Sequence, residues 1–245
     1  MRDVTLRPDA TGTWAEISLS SPGALRAGIS LLEAGDMALS RRHDLPNRAR
    51  LLSASGCPER VVGLRQIHSR RVIRVTDQSP EDLAVVEADG MVTDRPTLAL
   101  TVTVADCLPI FLVDTARGAY GIVHSGWRGT GIVAAALDAL REHFGTRPAD
   151  VAATIGPGIG ACCYRVPEER AELFAKEFGP DAVSRGADGE PRLDLRRANA
   201  DILRKRGVLE IGVVSECTCC SPRLGSFRRQ GPLSYALMCA FLARG

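Results

Sequence analysis

Between Leu98 and Val113 the chain carries two apolar, β-branched runs in succession. They are Leu98-Ala99-Leu100-Thr101-Val102-Thr103-Val104 and Pro109-Ile110-Phe111-Leu112-Val113, split by Ala105-Asp106-Cys107. Continuous apolar runs of this length are characteristic of buried strands, so the chain must build a sheet with covered faces. Asp106 and Pro109 interrupt the stretch, which is too short to span a bilayer. Because proline is poorly tolerated inside a central strand, Pro109 predicts an irregular bend after Cys107.

The rest of the chain alternates strand and helix signals. Trp14 to Leu19, Val61 to Ile67, Arg71 to Val75, Ala119 to His124, Val151 to Ile155 and Val208 to Val214 read as strands. Leu233 to Leu242 fits either periodicity and is assigned to a strand. Asn47 to Ser55 reads as a short helix with Leu51 and Leu52 turned inward. Gly131 to Phe144 places Ile132, Val133, Ala136, Leu137, Leu140 and Phe144 on one helical face, and Gly145 stops it. Pro167 to Phe178 opens with proline and two glutamates, as helix N-termini do, and Leu195 to Arg206 is closed by Gly207. Gly186-Ala187-Asp188-Gly189 is a surface turn, too short for a linker. The expectation is one mixed α/β (α+β) domain over residues 1–245, rather than a regular βαβ series.

Composition narrows the function classes. The hydrophobic fraction of 45% and charged fraction of 24% are ordinary for a globular protein. A net charge of +2 with scattered basic residues gives no case for a nucleic-acid surface. Met1-Arg2-Asp3-Val4-Thr5 lacks the apolar core of a secretory signal, so a cytoplasmic protein without a membrane partner is expected. No partner protein is indicated. The eight cysteines include two adjacent pairs, Cys162-Cys163 and Cys219-Cys220, which do not resemble a spaced disulfide framework. They are read as reduced thiols, with Cys57 and Cys239 serving as packing.

Three polar residues sit where strand-like runs break: His68, Cys107 and His124. Two imidazoles and a thiolate form a nitrogen–sulfur set suited to tetrahedral zinc with a fourth position open. Alternation along a strand puts Tyr120, Ile122 and His124 on one face and Val123 on the other, and makes Asp106 and Cys107 diverge. Cys107 is therefore the ligand candidate, with Asp106 orienting its neighbours. Separations of 39 and 17 residues match no short metal motif. Spacing alone thus leaves a second reading open, of a buried thiol beside hydrogen-bonded structural histidines.

An ordered series of blocks adds to this. It runs Gln66-Ile67-His68, Ala88-Asp89-Gly90, Ala105-Asp106-Cys107 with Pro109, and His124-Ser125-Gly126-Trp127-Arg128-Gly129. It continues through Ile155-Gly156-Pro157-Gly158-Ile159-Gly160, Cys162-Cys163-Tyr164, Cys217-Thr218-Cys219-Cys220 and Ser226-Phe227-Arg228-Arg229. Together these resemble the bacterial multicopper polyphenol oxidase (laccase-domain) family, whose members are also described as purine nucleoside phosphorylases and as the peptidoglycan editing factor. The resemblance implies a single-domain layered sandwich of mixed β-sheets flanked by helices, like certain cysteine hydrolases. It also implies that His68, Cys107 and His124 bind zinc. The sequence departs from the family's common residues at Ser125, Gly158, Ala161 and Cys219, and the region from Gly28 to Arg48 matches loosely.

The implied chemistry is phosphorolysis of adenosine, inosine or methylthioadenosine to base and sugar 1-phosphate, with adenosine deamination as a companion activity. A three-ligand zinc polarises an oxygen and can lower the pKa of water to about 7. Arginine forks match phosphate geometry, making Arg48, Arg128 and Arg228 candidate substrate contacts beside the ordinary reading of solvated surface charges. Arg228 and Arg229, adjacent on an expected strand, should not both face one pocket. Asp89 is either a general acid or base or a turn-stabilising carboxylate. Three alternatives remain: a peptidoglycan-precursor hydrolase with Cys107 as nucleophile; a copper-dependent polyphenol oxidase, for which four histidines are too few; and a non-enzymatic structural or partner-binding protein in which zinc only staples three strands. His43 and His143 receive no functional role, and the glycine loop after Ile155 is read as a tight turn bringing backbone near the pocket.

Overall fold

A computed structural model describes residues 1–19, 25–38, 45–58 and 60–244, the side chain of Leu45 excepted; His43 lies outside the described residues. The two apolar runs are strands of different sheets, so the break at residues 105–107 is where the chain passes from one sheet to the other. Leu98–Val104 belongs to a six-stranded sheet in the order Leu6–Pro8, Trp14–Ile17, Leu25–Ser30, Met238–Arg244, Leu98–Val104, Arg60–Val62. Leu108–Asp114 is central in a seven-stranded sheet ordered Arg2–Val4, Glu210–Val214, Val151–Ile155, Leu108–Asp114, Tyr120–Ser125, Gly90–Thr93, Val72–Arg74. Both sheets mix parallel and antiparallel pairs, and a small hairpin joins Val183–Arg185 to Pro191–Leu193.

Side-chain alternation sorts the layers. Phe111, Tyr120, Ile122 and Met91 of the larger sheet meet Ile29, Leu100, Val102 and Ala240 of the smaller in the central core. On the opposite face of the larger sheet, Leu108, Ile110, Leu112 and Val123 pack against the helices Ile132–Phe144, Glu168–Phe178 and Leu195–Lys205. Trp14, Cys239 and Phe241 on the outer face of the smaller sheet receive Leu51 and Leu52 of the helix Leu45–Ala54. The order is helix, sheet, sheet, helices, an α/β architecture with mixed sheets flanked by helices. The helix Ile132–Phe144 buries Ile132, Val133, Ala136, Leu137 and Leu140, the four larger side chains each contributing roughly 1.5–3 kcal/mol by removing apolar area from water. Gly145 ends it at φ 66° with an N–H donated back to Arg141.

Several expectations are corrected. The strand expected from Val61 to Ile67 ends at Val62; beyond it the chain leaves the sheet, Arg65 N donating to the Val86 carbonyl at 3.0 Å and residues 67–69 to the Asp89 carboxylate. Pro109 lies within Leu108–Asp114 rather than at an irregular bend. It is tolerated at the strand's second position because its nitrogen faces Gly156, just past the end of Val151–Ile155, where the Gly156 N–H still donates to the Pro109 carbonyl at 2.8 Å. Arg228 and Arg229 lie in a short helix, Phe227–Gln230, capped by Ser226, not on a strand. Pro167 is the N-cap of its helix rather than its first residue. The C-terminal strand spans Met238–Arg244, later than expected. Leu25–Ser30 and Gly90–Thr93 are strands that sequence periodicity did not reveal. Among the described residues no helix is long and apolar enough to cross a membrane.

Phe111 has no exposed surface between the sheets. Phe111→Ala should lower unfolding free energy by about 3–5 kcal/mol in urea titration, whereas Val85→Ala, at a 73% exposed position, should stay within about 0.5 kcal/mol.

Candidate metal centre

His124 is positioned by its strand and by Asp89, the residue just before Gly90–Thr93. Gly90 pairs with Val123, which brings Asp89 alongside His124. The His124 N–H donates to the Asp89 carbonyl at 2.7 Å, and Nδ1 lies 2.8 Å from Asp89 Oδ1. A carboxylate can only accept, so Nδ1 carries the proton and Nε2 is left as the donor toward a metal. The same carboxylate accepts from the backbone N–H groups of Ile67, His68 and Ser69 at 3.2, 2.9 and 2.7 Å, and from Ser69 Oγ at 2.7 Å. These bonds hold His68 at φ 61°, a left-handed conformation that costs a non-glycine residue of order 1–3 kcal/mol unless its surroundings impose it. Asp89 is wholly buried, and burial opposes its charge. The hydrogen bonds from His124 and Ser69 outweigh that and hold its carboxyl at about 2.

Cys107 is presented by the crossover between the sheets. Asp106 adopts φ 84° and points away, its carboxylate accepting from Thr218 Oγ1 at 2.6 Å and from the Arg228 N–H at 2.7 Å. Its carbonyl accepts from Ile159 N at 2.8 Å. The expected divergence of Asp106 and Cys107 is therefore observed, with Asp106 tying three loops together behind the thiol. The glycine run packs against this turn: a Cβ on Gly158 would lie 2.5 Å from Leu108 Cδ2 and 2.9 Å from the Asp106 carbonyl. Only a residue without a side chain fits there.

The ligating atoms of His68, Cys107 and His124 all lie within 4.8 Å of one another. The two imidazoles are 4.9 Å apart, centroid to centroid, and inclined at 75°, so they approach a common point from different directions. Gly126 lines the cradle: a Cβ there would sit 2.6 Å from Cys107 Sγ and 3.3 Å from His68 Cδ2. His124 is buried, Cys107 half-buried and His68 exposed, leaving one side open to solvent. Burial alone would push the Cys107 thiol up, but the charge and hydrogen bond of His124, then those of His68, bring it down to about 6. Burial opposes the His124 charge, while the Cys107 thiolate and the Asp89 carboxylate raise it to about 9. A deprotonated thiol and two imidazoles, one oriented by a carboxylate, form a cluster capable of coordinating a metal.

The arginines are placed differently from one another. Arg48, a residue of the helix Leu45–Ala54, is buried and bonded to Thr101 of the smaller sheet, whose hydroxyl donates to Val62 O at 2.7 Å. Arg128 is exposed, 5.3 Å from the Trp127 ring centroid, in a surface cavity of about 220 Å³ shared with Arg70 and Arg170. Arg228 lies 5.4 Å from the Tyr164 ring centroid and donates to the Arg165 carbonyl at 3.0 Å. Arg229 is scaffold, donating to the carbonyls of Thr218, Ser221 and Leu224. Tyr164 and Arg170 were not singled out as contacts by sequence. Burial and then the nearby Cys107 charge push the Tyr164 phenol up to about 12, against Arg170 and Arg228. Arg170 packs 4.5 Å from the Trp127 ring centroid, on a helix face whose periodicity gives no hint of it.

Residues 36–242 match the family described as multi-copper polyphenol oxidoreductase laccase. The chain belongs to this family. It is 39% identical over 189 residues to a Mycobacterium tuberculosis protein named purine nucleoside phosphorylase Rv2149c, covering 76% of this chain and 74% of that one. It is 32% identical to purine nucleoside phosphorylase YlmD of Geobacillus stearothermophilus, over 97% of this chain and 92% of the relative. The crystal structure of YlmD superposes with a TM-score of 0.89 at 29% identity, covering 98% of this chain and 99% of that one. The Bacillus licheniformis protein YfiH gives 0.88 at 30% identity with the same coverage.

Asp89→Asn keeps the shape but weakens the hold on His124 and on the His68 loop, and should reduce metal affinity by about 10–100-fold in competition titration with a chromogenic chelator. In metal-free protein, iodoacetamide should alkylate Cys107 with a pH midpoint near 6. A midpoint near that of a free thiol, about 8.5, would contradict the imidazole–thiolate pairing.

Proposed function

We propose that this chain is a zinc-dependent purine nucleoside phosphorylase, converting adenosine, inosine or methylthioadenosine and phosphate to free base and sugar 1-phosphate. The observation that carries this reading is the convergence of His68, Cys107 and His124 donors, all within 4.8 Å, on a centre open on one side. The relatives named as purine nucleoside phosphorylases over most of this chain's length support it. The cluster offers two imidazoles and a thiolate, fewer nitrogens than a multicopper oxidase requires, which favours zinc over copper. Residues 1–245 are taken as one laccase-like domain of cysteine-hydrolase-like architecture acting on a small nucleoside in the cytoplasm.

In this reading His68, Cys107 and His124 hold the ion, which supplies Lewis-acid polarisation of a substrate oxygen. Asp89 keeps the His124 proton on Nδ1 and its Nε2 free. Arg228, with Arg128 and Arg170, offers planar cationic groups for phosphate. Tyr164 stays protonated near neutral pH and is available as a hydrogen-bond donor. A phosphate oxygen bonds to the anomeric carbon as the glycosidic C–N bond breaks and its electron pair leaves with the purine, which is protonated as it departs. Arg48, tied to Thr101, supports the sheet rather than the substrate. Adenosine deamination at the same centre is a companion activity.

One observation favours a second reading. A thiol held at about 6 beside an imidazole held at about 9 is the arrangement of a cysteine nucleophile, and would suit hydrolysis of a peptidoglycan precursor.

Zinc-loaded protein incubated with inosine and phosphate should release hypoxanthine and ribose 1-phosphate, measured by chromatography. Chelation should abolish turnover and zinc should restore it. Cys107→Ala should lower kcat/KM by at least about 100-fold. Zinc-loaded protein that releases no base from any purine nucleoside would overturn the reading. Activity on a peptidoglycan precursor that survives zinc removal, with a covalent adduct on Cys107, would establish the second instead.

A further inference from the structure

A second group of thiols gathers behind the glycine loop. Cys162 and Cys163 follow the run ending at Gly160, while Cys217 and Cys220 belong to the turn after Glu210–Val214. The four sulfurs lie within 4.8 Å of one another. Cys163 Sγ and Cys220 Sγ are 3.4 Å apart, and Cys162 Sγ and Cys220 Sγ 3.8 Å. All four are free thiols. A disulfide would draw two sulfurs to about 2.0 Å and leave the other pair outside. A tetrahedral ion with bonds of about 2.3 Å instead holds four sulfurs roughly 3.8 Å apart, close to the separations seen.

The backbone around the thiols is arranged for an anionic sulfur. Cys217 and Cys220 stand at Cys-x-x-Cys spacing, the turn by which one segment supplies two thiolates to one ion. Cys217 Sγ accepts from the Gly160 N–H at 3.2 Å and from the N–H groups of Cys219 and Cys220. Arg196 stands behind the group, donating from Nη2 to the carbonyls of Gly158 and Glu216 at 2.7 Å each, with its charge acting on Cys217 and Cys162.

We propose that Cys162, Cys163, Cys217 and Cys220 form a tetrathiolate site for one zinc ion, separate from the His68, Cys107 and His124 centre. Four protein ligands fill the coordination sphere, so the role is structural. The ion clamps the glycine loop to the Cys217 turn, where Thr218 N already donates to Gly158 O at 3.0 Å. Those two segments bind Asp106 through Thr218 Oγ1 and Ile159 N. The clamp therefore stiffens the turn that presents Cys107. Binding releases the thiol protons, so affinity should rise with pH.

The test counts metal in full-length chain purified under reductant, loaded with zinc and freed of excess by gel filtration. Wild type should retain two ions per chain by elemental analysis. Cys220→Ser and Cys163→Ser should each retain one, and His68→Ala should retain one. Cobalt-loaded His68→Ala should show the intense sulfur-to-cobalt charge transfer of four thiolates, which adding Cys220→Ser to that same variant should remove. One ion in reduced wild type, unchanged by Cys163→Ser and Cys220→Ser, would overturn the proposal. So would a cobalt spectrum of His68→Ala without thiolate bands. The readout is metal content and ligation, so it is decided separately from turnover of any nucleoside.

Discussion

The buried carboxylate of Asp89 is the interaction on which the site depends. It accepts from three consecutive backbone N–H groups, from the Ser69 hydroxyl and from His124 Nδ1. A carboxylate with no exposed surface is expensive unless its lone pairs are filled, and here the groups that fill them also place the two histidines. One interaction thus fixes the left-handed backbone at His68, the tautomer of His124 and the depth at which both rings stand. The sequence separation between Asp89 and its partners, 20 to 35 residues, is closed by the pairing of Gly90–Thr93 with Val72–Arg74 on one side and with Tyr120–Ser125 on the other.

The second constraint is the crossover between the sheets. Two strands that are adjacent in sequence, Leu98–Val104 and Leu108–Asp114, lie in different layers, so the chain must turn sharply at residues 105–107. Asp106 takes the unusual φ and spends its carboxylate on Thr218 and the Arg228 backbone. Cys107 is left facing the histidines. Gly126 and Gly158 let the surrounding loops close on this turn, since a Cβ at either would meet a neighbour at 2.6 or 2.5 Å. The centre is thus assembled from the end of Tyr120–Ser125, the crossover between the sheets, and the His68 loop that Asp89 holds.

Much of this was legible in the sequence where local physics decides. The spans of Leu98–Val104 and Val151–Ile155 are as expected because β-branched runs buried on both faces leave little alternative. The helix at Ile132–Phe144 follows from its apolar spacing and Gly145. His68, Cys107 and His124 were visible as polar residues at the ends of apolar runs. Asp89 was ambiguous because its partners are distant in sequence. Leu25–Ser30 was hidden by Gly28, which is there because Phe241 and Trp14 press on the backbone, a Cβ falling 2.4 Å from the Phe241 ring. Arg228 and Arg229 misled because two adjacent cations carry no periodicity, while the Ser226 cap that starts their helix is a short-range signal.

If Asp89 fixes His124 as proposed, its Nε2, Cys107 Sγ and a His68 nitrogen meet at one metal. Diffraction from crystals of zinc-loaded protein, recorded on both sides of the zinc absorption edge, tests this directly. An anomalous peak is expected with bonds of about 2.0–2.1 Å to two imidazole nitrogens and about 2.3 Å to Cys107 Sγ, with Asp89 still on His124 Nδ1. A structure with no peak between these residues, or with Asp89 turned to become a ligand, would contradict it.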